Sequence, residues 1–358
     1  MSSPIDSLAP RIEVSARALQ HNVRAIRAHL GRGTAIAAVL KANAYGHGLN
    51  NVAGVLADQV DWLAVAEPGD AIAVSDIAPR RVLCLGPLRG ATLRDCVRKH
   101  VRCTIDSTAA ASELAFGAVV HVLVDTGLHR LGAAPGDVAA VRTEAVRRGA
   151  TVEAVFCMAA GAEIGDWALV EREVALLRSI AAPAELIHTG GTTVALDRPD
   201  LAGDIARTGL AVLGYPSRSA QRERIDLQPS LRLIAPVLET RRVAAGARVG
   251  YDGVAVTRDT IIATLPLGVA HGLHPQADHR LGVYLRDRFC SFIARPSLEY
   301  ALVDVTDVGT PEIGEQALVL GGRPEVPTSI ESVARRLGLI VDHVLAALSP
   351  ALPRRIIS

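Results

Sequence analysis

Short apolar runs alternate with amphipathic stretches along the first two-thirds of the chain. Each run is only a few residues long and nearly continuous in its apolar character, which is typical of strands buried on both faces. Eight such runs predict strands, over Ala35–Leu40, Trp62–Ala66, Arg81–Leu85, Arg102–Ile105, His121–Asp125, Val152–Cys157, Leu186–His188 and Ile205–Thr208.

The stretches between these runs have the spacing of amphipathic helices. Behind Ser15, apolar residues recur at Leu19, Val23, Ile26 and Leu30. Behind Asp166, a predicted N-cap, they recur at Trp167, Val170, Val174 and Leu177. Steps of three and four place such residues on one buried face. Eight β–α units within about 200 residues predict an α/β fold built on a parallel (β/α)8 TIM barrel, with a doubly wound sheet as the alternative.

The pattern changes after Gln228–Pro229. From Leu231 onward, apolar runs such as Ile261–Leu265 and Ala301–Val305 are separated by Gly, Pro and Asp turns. This spacing predicts a smaller C-terminal β-rich domain, over residues 231–358, behind a barrel over residues 1–230.

The amino-acid composition of the chain argues against several classes of function. The 358 residues are 49% hydrophobic and carry a net charge of +1, and only 3% are aromatic. A basic nucleic-acid binder or a polybasic membrane anchor is therefore not expected. The five cysteines are odd in number and lack C-x-x-C spacing, so neither a disulfide framework nor a metal site is predicted, and a cytoplasmic location is expected. We also expect no signal peptide and no transmembrane segment.

The segment AAVLKANAYGHG, Ala37–Gly48, carries the most informative chemistry. An apolar strand ends close to Lys41, at the carboxyl end of the first predicted barrel strand, where the active sites of such barrels lie. A lysine amine there can form a Schiff base with a carbonyl cofactor if its surroundings lower its pKa. The glycines that follow suit close approach of a bulky ligand.

This segment and five others resemble motifs of the alanine racemase family. The matching segments follow in order over nearly the whole chain: Arg11–Asn22, VLKANAYGHG, VDTGLHRLG (Val124–Gly132), ARTGLAVLGY (Ala206–Tyr215), Val249–Gly272 and ALVDVTDV (Ala301–Val308). The resemblance implies a β/α barrel, a C-terminal β domain in which residues 11–15 take part, and pyridoxal 5'-phosphate (PLP) as cofactor.

The resemblance also implies roles for individual residues. Lys41 would hold PLP and act as one acid/base, and Tyr251 would be the second base, reaching the site from the partner subunit of a homodimer. Arg207 would face the pyridine nitrogen of the cofactor. Arg130 would bind the cofactor's phenolate oxygen and the carboxylate of an amino-acid substrate.

The same resemblance places a phosphate site on Tyr45, Thr192 and the backbone of Gly209 and Leu210. His188 and Gly191 would border this site. Leu298 and Glu299 align with the family's substrate-binding Met-Asp pair.

The predicted partner of the pyridine nitrogen bears on the type of reaction. An arginine has a pKa above about 12, so it stays charged and does not give its proton to the ring. An unprotonated ring is a weaker electron sink, which disfavours transamination. Two bases on opposite faces of a planar intermediate permit proton removal on one side and return on the other, which predicts racemisation.

Several positions depart from the family's pattern. Leu123 stands where the family commonly has a carbamylated lysine, so another anion or the substrate carboxylate is expected to balance Arg130. Met158 replaces a histidine that stacks on the cofactor ring. Leu273 replaces a tyrosine at the substrate entrance, and Pro350 replaces a phosphate-binding tyrosine.

These departures leave two alternatives to a racemase of alanine or a related amino acid. One is a different PLP reaction on the same fold, such as elimination, aldol cleavage or decarboxylation. The other is a protein that binds PLP without turnover.

Overall fold

A computed structural model describes residues 8–79 and 81–358. The chain divides into two compact units. The barrel unit comprises Ala18–Ala44 and Leu49–Gln228, and the C-terminal unit comprises residues 8–17, Tyr45–Gly48 and Pro229–Ser358. The start of the chain, on which the expectation about a signal peptide depends, lies outside the described residues.

Strand β1 (Arg11–Ser15) belongs to the C-terminal unit, and eight barrel strands follow it. They are β2 (Ala35–Val39), β3 (Trp62–Val65), β4 (Val82–Pro87), β5 (Arg102–Ile105), β6 (Val119–Leu123), β7 (Thr151–Phe156), β8 (Leu186–His188) and β9 (Ile205–Thr208). Their order is β8-β7-β6-β5-β4-β3-β2-β9, and each ladder is parallel.

This order confirms the barrel and excludes the doubly wound sheet. Neighbours in the sheet are neighbours in sequence from β2 to β8, without the reversal of strand order that defines a doubly wound fold. The last strand, β9, pairs with the first, β2, so that the curved sheet closes nearly completely. Strands with both faces covered need continuous apolar runs, which these sequences supply.

Eleven right-handed α-helices surround or follow these strands in the described part of the chain. They are α1 (Ala16–Leu30), α2 (Leu49–Leu56), α3 (Pro68–Ser75), α4 (Gly90–Arg98), α5 (Thr108–Ser112), α6 (Val138–Arg147), α7 (Gly161–Ile164), α8 (Trp167–Ile180), α9 (Thr192–Asp197), α10 (Ile330–Leu337) and α11 (Val341–Ala346). None of the helices in this part is both long and apolar enough to cross a membrane.

Helix α8 shows how the sequence specifies these helices. The carboxylate of Asp166 accepts a hydrogen bond from the backbone N–H of Leu169 at 2.9 Å, as an N-cap does. Val170, Val174 and Leu177 are buried on one face. Each buried side chain of this size contributes about 1.5–3 kcal/mol to stability. The predicted cap is therefore confirmed, and so are three of the four predicted buried positions, whereas Trp167 is only partly buried.

The C-terminal unit is built on two sheets and one short hairpin. Its remaining strands are β10 (Leu231–Pro236), β11 (Glu239–Val243), β12 (Arg248–Val249), β13 (Val254–Ala255), β14 (Thr260–Leu265), β15 (Gly282–Leu285), β16 (Arg288–Ser291), β17 (Ala301–Asp304), β18 (Gln316–Gly321) and β19 (Arg354–Ile357). The larger sheet has the order β16-β15-β18-β10-β1-β19, and the smaller has the order β11-β14-β17.

Two segments from early in the chain belong to this unit. Strand β1 runs antiparallel to β10 and parallel to β19. Residues 45–48 pack against the end of the chain, where the Arg354 side chain donates to the carbonyl of Gly46 at 3.0 Å. A Cβ on Gly46 would collide with the carbonyl of Leu345, so this close approach requires a glycine.

Candidate active site

Lys41 lies two residues beyond β2, at the carboxyl end of the barrel strands, and is exposed. The next four residues have φ angles of 53°, 55°, 52° and 49°, from Ala42 to Tyr45, and form a left-handed turn. A left-handed helical conformation costs a residue with a Cβ about 1–2 kcal/mol. Strain of this kind is concentrated at functional sites, where surrounding contacts hold it in place.

Asn43 supplies one such contact. Its side-chain Oδ1 accepts a hydrogen bond from the backbone N–H of Leu49 at 2.8 Å, at the start of α2. The backbone N–H of Ala44 donates to the carbonyl of Leu40 at 2.9 Å. The turn that follows Lys41 is thus fixed to both the strand before it and the helix after it.

Arg207 lies in β9, next to β2 in the barrel, and only 4% of it is exposed. Nε and Nη2 donate to the carbonyl of Gly190 at 3.0 and 2.7 Å, and Nη2 also donates to the carbonyl of Cys157 at 2.6 Å. Nη1 donates to Nδ1 of His188 at 3.2 Å. These bonds commit four of the five N–H groups of the guanidinium. Burial lowers the pKa of Arg207 to about 10, which still leaves it charged at neutral pH.

A glycine loop follows β8, beside this arginine. Gly190 has a φ of +48°, and a Cβ there would overlap the side chain of Val194. Past the loop, the hydroxyl of Thr192 accepts a hydrogen bond from the backbone N–H of Gly209 at 3.2 Å. The loops after β8 and β9, which carry the predicted phosphate-binding residues Gly191, Thr192, Gly209 and Leu210, are therefore joined directly.

His188 ends β8 and is completely buried. Its ring stacks on Phe156 with centroids 4.5 Å apart and an interplanar angle of 9°. Burial, and then the charge of Arg207, lowers the pKa of His188 well below the usual histidine value. His188 is therefore neutral at physiological pH and acts as a partner of Arg207.

Met158 lies two residues beyond β7, against the guanidinium of Arg207. Its Sδ is 3.9 Å from Nη2 of Arg207, and its methyl group would lie 3.7 Å from a Cβ on Gly191. A thioether can pack on an aromatic ring through dispersion, but it is a poor hydrogen-bond relay.

Arg130 lies in the loop after β6 and is exposed. The carboxylate of Asp125 shapes this loop by accepting from the backbone N–H groups of Gly127 and His129 at 3.1 and 3.0 Å. Leu123, at the end of β6, is 7% exposed and pairs in register with Phe156. An apolar side chain thus occupies the position from which the family's carbamylated lysine would act.

The C-terminal unit carries the other predicted site residues, Tyr45, Tyr251, Leu298 and Glu299. Tyr251 and Leu298 are 95% and 72% exposed, and Glu299 is also exposed. The loop of Tyr251 is anchored by the next residue, Asp252, whose carboxylate accepts from Nε of Arg295 at 3.0 Å. An exposed phenol on an anchored loop is available to a ligand or to another surface.

Tyr45 contrasts with Tyr251, because it is 7% exposed. Burial raises the pKa of the Tyr45 phenol, and the negative charge of Asp342 adds to the effect. Tyr45 therefore remains a neutral hydroxyl, suited to donating a hydrogen bond and not to acting as a base.

Two polar residues of the barrel were not identified from the sequence. His121, in β6, is completely buried, and its Nδ1 lies 2.9 Å from Nε2 of His188. Its Nε2 lies 3.0 Å from the carboxylate of Glu153, in β7. A histidine within the apolar run of β6 was the available signal, because a buried imidazole needs hydrogen-bond partners.

The barrel residues fit the cofactor that the sequence predicts. Lys41 provides an amine, and the joined loops of Thr192 and Gly209 combine small residues, a hydroxyl and backbone N–H groups, which suit a phosphate. Arg207 has one N–H group for which the described residues provide no acceptor, and a ring nitrogen could accept from it.

Family models match both parts of the chain. The model described as "Alanine racemase, N-terminal domain" matches residues 14–217, and "Alanine racemase, C-terminal domain" matches residues 230–356. Among curated proteins, Alanine racemase 1 of Caldanaerobacter subterraneus is 29% identical, over 98% of this chain and 95% of its own length. Alanine racemase of Sorangium cellulosum is also 29% identical, over 96% of this chain and 98% of its own length.

Solved structures share the fold. An alanine racemase of Clostridium difficile superposes with a TM-score of 0.91 at 24% identity, covering 100% of this chain and 96% of that one. A histidine racemase of Leuconostoc mesenteroides superposes with a TM-score of 0.89 at 21% identity, over 100% of both chains.

Proposed function

Because the chain belongs to the alanine racemase family, we propose that it is a PLP-dependent amino-acid racemase with Lys41 and Tyr251 as its two acid/base groups. The observation that carries the proposal is the position of Lys41. This amine stands at the carboxyl end of β2, next to the strand that bears the buried Arg207.

The lysine content of the chain supports this role. Lysine occurs at only two positions, 41 and 99, among 38 lysines and arginines. Lys99 lies at the end of α4 and pairs with the carboxylate of Asp76 at 2.7 Å, which is a common surface arrangement. Arginine cannot serve as an amine nucleophile, because its guanidinium stays protonated. Nearly all basic positions of the chain are arginine, but position 41, where the proposed chemistry needs an amine, is a lysine.

PLP, when bound, supplies a carbonyl for amine attachment and a ring that withdraws electrons from Cα. In the proposed site, Lys41 holds the cofactor and moves one proton at Cα, and the Tyr251 hydroxyl moves the other. Arg207 donates to the ring nitrogen without transferring its proton, which limits electron withdrawal. Arg130 binds the cofactor's phenolate oxygen and the substrate carboxylate, and Leu298 and Glu299 are also assigned to substrate binding.

The phosphate is assigned to Tyr45, Thr192 and the backbone N–H groups of Gly209 and Leu210, bordered by His188 and Gly191. The hydrogen bond between Thr192 and Gly209 supports this assignment, because it joins the two loops that would share the phosphate. Glycines and backbone N–H groups favour anions by allowing close approach.

We further propose a homodimer, in which Tyr251 serves the partner's site. A second base must approach from the face opposite Lys41, and Tyr251 is 95% exposed in the single chain. A cytoplasmic location is supported by the five cysteines, all of which are buried free thiols.

The proposed substrate is a free amino acid, alanine or a related one. The curated relatives compared above are named alanine racemases, which favours a small side chain. Leu123, Met158 and Leu273 replace polar groups of the family's pattern, so that the substrate range need not equal that of the relatives.

The test is a screen of single enantiomers of amino acids in deuterated water, with PLP present. The proposal predicts deuterium at Cα and formation of the opposite enantiomer for at least one amino acid. Tyr251→Phe should slow one direction of inversion preferentially, whereas Tyr300→Phe, a change at a half-exposed tyrosine of the same unit, should not. Release of a keto acid, an aldehyde or carbon dioxide without inversion would contradict the proposal.

A further inference from the structure

A continuous chain of polar contacts runs through the barrel from Arg207 to Arg102, the first residue of β5. Nη1 of Arg207 lies 3.2 Å from Nδ1 of His188, and Nε2 of His188 lies 2.9 Å from Nδ1 of His121. Nε2 of His121 lies 3.0 Å from Oε2 of Glu153. Arg102 ends the chain, with its Nε 3.2 Å and its Nη2 3.3 Å from the two oxygens of that carboxylate.

The chemistry at the two ends fixes the direction of every hydrogen bond. A guanidinium only donates, so Nδ1 of His188 must accept, and its proton is carried on Nε2. That Nε2–H then donates to Nδ1 of His121. The second histidine is consequently also protonated on Nε2, where it donates to the carboxylate of Glu153. All ring nitrogens are satisfied with both histidines neutral.

The surroundings favour this neutral state. His121 and His188 are completely buried, and burial lowers the pKa of each. Burial raises the pKa of the Glu153 carboxyl, but hydrogen bonds from His121 and Arg102 outweigh it and lower that pKa to about 2. The aromatic rings of Trp62 and Phe156, at centroid distances of 6.1 and 6.5 Å from His121, are uncharged, and the positive charges of Arg102 and Arg207 also lower the pKa of His121.

The buried Arg207 donates directly to two carbonyls and an imidazole, none of which is charged. The carboxylate that this chain of contacts reaches is that of Glu153. Polarised chains of hydrogen bonds carry the influence of a charge further than a single contact does.

We propose that His121 and Glu153 are positioning residues for Arg207. Glu153 accepts the last hydrogen bond of the chain and so fixes the ring of His121. His121 in turn fixes the ring of His188, which thereby presents a fixed acceptor to the guanidinium. The hydrogen-bond chain is a feature of the barrel itself. Its consequence for turnover, a ring-facing arginine held in one orientation, rests on the proposed function.

The test follows the histidine ring nitrogens of the 358-residue chain by ¹⁵N NMR, with and without PLP. The natural sequence should show His121 and His188 each protonated on Nε2 only, between pH 6.5 and 8. In Glu153→Gln, the group that accepts from Nε2 of His121 loses its charge, and the amide presents a donor to either Arg102 or His121. The hydrogen bond from Nε2 of His121 should then weaken and its Nε2–H resonance should shift, whereas His188 stays protonated on Nε2 because Arg207 still donates to its Nδ1.

Glu185→Gln is the matched control. Glu185 also receives two hydrogen bonds from an arginine, from Nε and Nη2 of Arg142 at 2.6 and 2.8 Å, but it does not contact the histidines. Its substitution should leave the His121 Nε2–H resonance unchanged. If Glu153→Gln does not fold, His121→Phe breaks the same chain without changing charge and fits an aromatic environment.

For racemisation, Glu153→Gln should lower kcat about tenfold or more with a smaller change in KM, because the arginine acts on the reacting state. Glu185→Gln should change neither. Protonation of His188 on Nδ1 in the natural sequence, or an unchanged His121 Nε2–H resonance in Glu153→Gln, would overturn the proposal. A shifted resonance with unchanged kcat would also overturn it, as a positioning role. If the unsubstituted protein racemises nothing, the proposed function fails, and the NMR result still decides the hydrogen-bond chain.

Discussion

Arg207 holds the carbonyl of Gly190 through two N–H groups, Nε at 3.0 Å and Nη2 at 2.7 Å. This contact ties strand β9 to the glycine loop that follows β8. The loop and the arginine therefore keep each other in place, so that the orientation of the side chain and the shape of the predicted phosphate loop are coupled.

The coupling predicts a large effect for Arg207→Lys. An ammonium cannot reproduce the fork that contacts Gly190, Cys157 and His188 together, so buried acceptors would lose partners. We expect a loss of about 2–4 kcal/mol in the free energy of unfolding, measured by urea denaturation. Racemisation should fall at least about tenfold. Arg142→Lys, which alters another arginine with two bonds to one partner, should reduce stability less and leave turnover unchanged.

Gly190→Ala is predicted to disrupt the same loop. The new methyl group would overlap the side chain of Val194, and the φ of +48° is unfavourable for alanine. We expect about 2–3 kcal/mol of destabilisation and weaker PLP binding by absorbance titration. Gly31→Ala separates the two causes, since Gly31 has a φ of +79° and nothing within 4 Å. It should cost only about 1 kcal/mol. Equal effects in the two variants would contradict the steric account.

Stability should depend on pH through the buried histidines. Burial lowers the pKa of His121 and His188 in the folded protein, so the unfolded chain takes up more protons once the pH falls below about 6.5. Their contribution is complete above that pH and is lost on acidification. The free energy of unfolding should fall by up to about 2.7 kcal/mol per pH unit between pH 6 and pH 5.

Urea denaturation of His121→Phe measures this contribution. The slope between pH 6 and pH 5 should drop toward that of one histidine, about 1.4 kcal/mol per pH unit. The variant should also be less stable at pH 7.5, because Nε2 of His188 loses its acceptor. His279→Gln, at an exposed histidine, should leave the slope unchanged. An unaltered slope in His121→Phe would contradict the buried neutral state.

Asp166→Ala tests the cap of helix α8. The carboxylate accepts from the backbone N–H of Leu169, and its removal should cost about 1 kcal/mol. Asp166→Ser keeps an acceptor at the N-cap and should recover most of that loss. Thermal unfolding measures both, and an unchanged midpoint in Asp166→Ala would show that the cap does not stabilise the helix.

The barrel could be predicted from the sequence because its signals are local. The strand runs, the face of α8 and the N-cap at Asp166 each depend on residues within one element. The eight predicted strands agree with β2–β9 to within about two residues at each end, which is the usual uncertainty of element boundaries.

The left-handed turn after Lys41 had no such signal. Of its residues, only Asn43 is of a type that favours positive φ, whereas Ala42, Ala44 and Tyr45 are not. Its conformation depends on contacts with Leu40 and Leu49 that are made only in the fold. Residues 45–48 belong to the C-terminal unit for the same reason, because their packing against Leu345 and Arg354 involves the distant end of the chain.

The hydrogen-bonded contacts from His188 through His121 to Glu153 could not be predicted from the sequence either. His121, Glu153 and His188 are on three successive strands, and only the register of β6, β7 and β8 shows that their polar atoms meet. The motif resemblance covered residues expected to contact the cofactor. It did not extend to His121, which contacts His188, or to Glu153, which contacts His121.

The central claim, that Lys41 is the attachment point of PLP, is tested most directly by borohydride reduction after incubation with PLP, followed by peptide mass spectrometry. With two lysines in the chain, Lys99 serves as an internal control. The account predicts a phosphopyridoxyl group on the peptide containing Lys41, near one per chain, and little on the peptide containing Lys99. No modification of Lys41, or equal modification of both lysines, would contradict it.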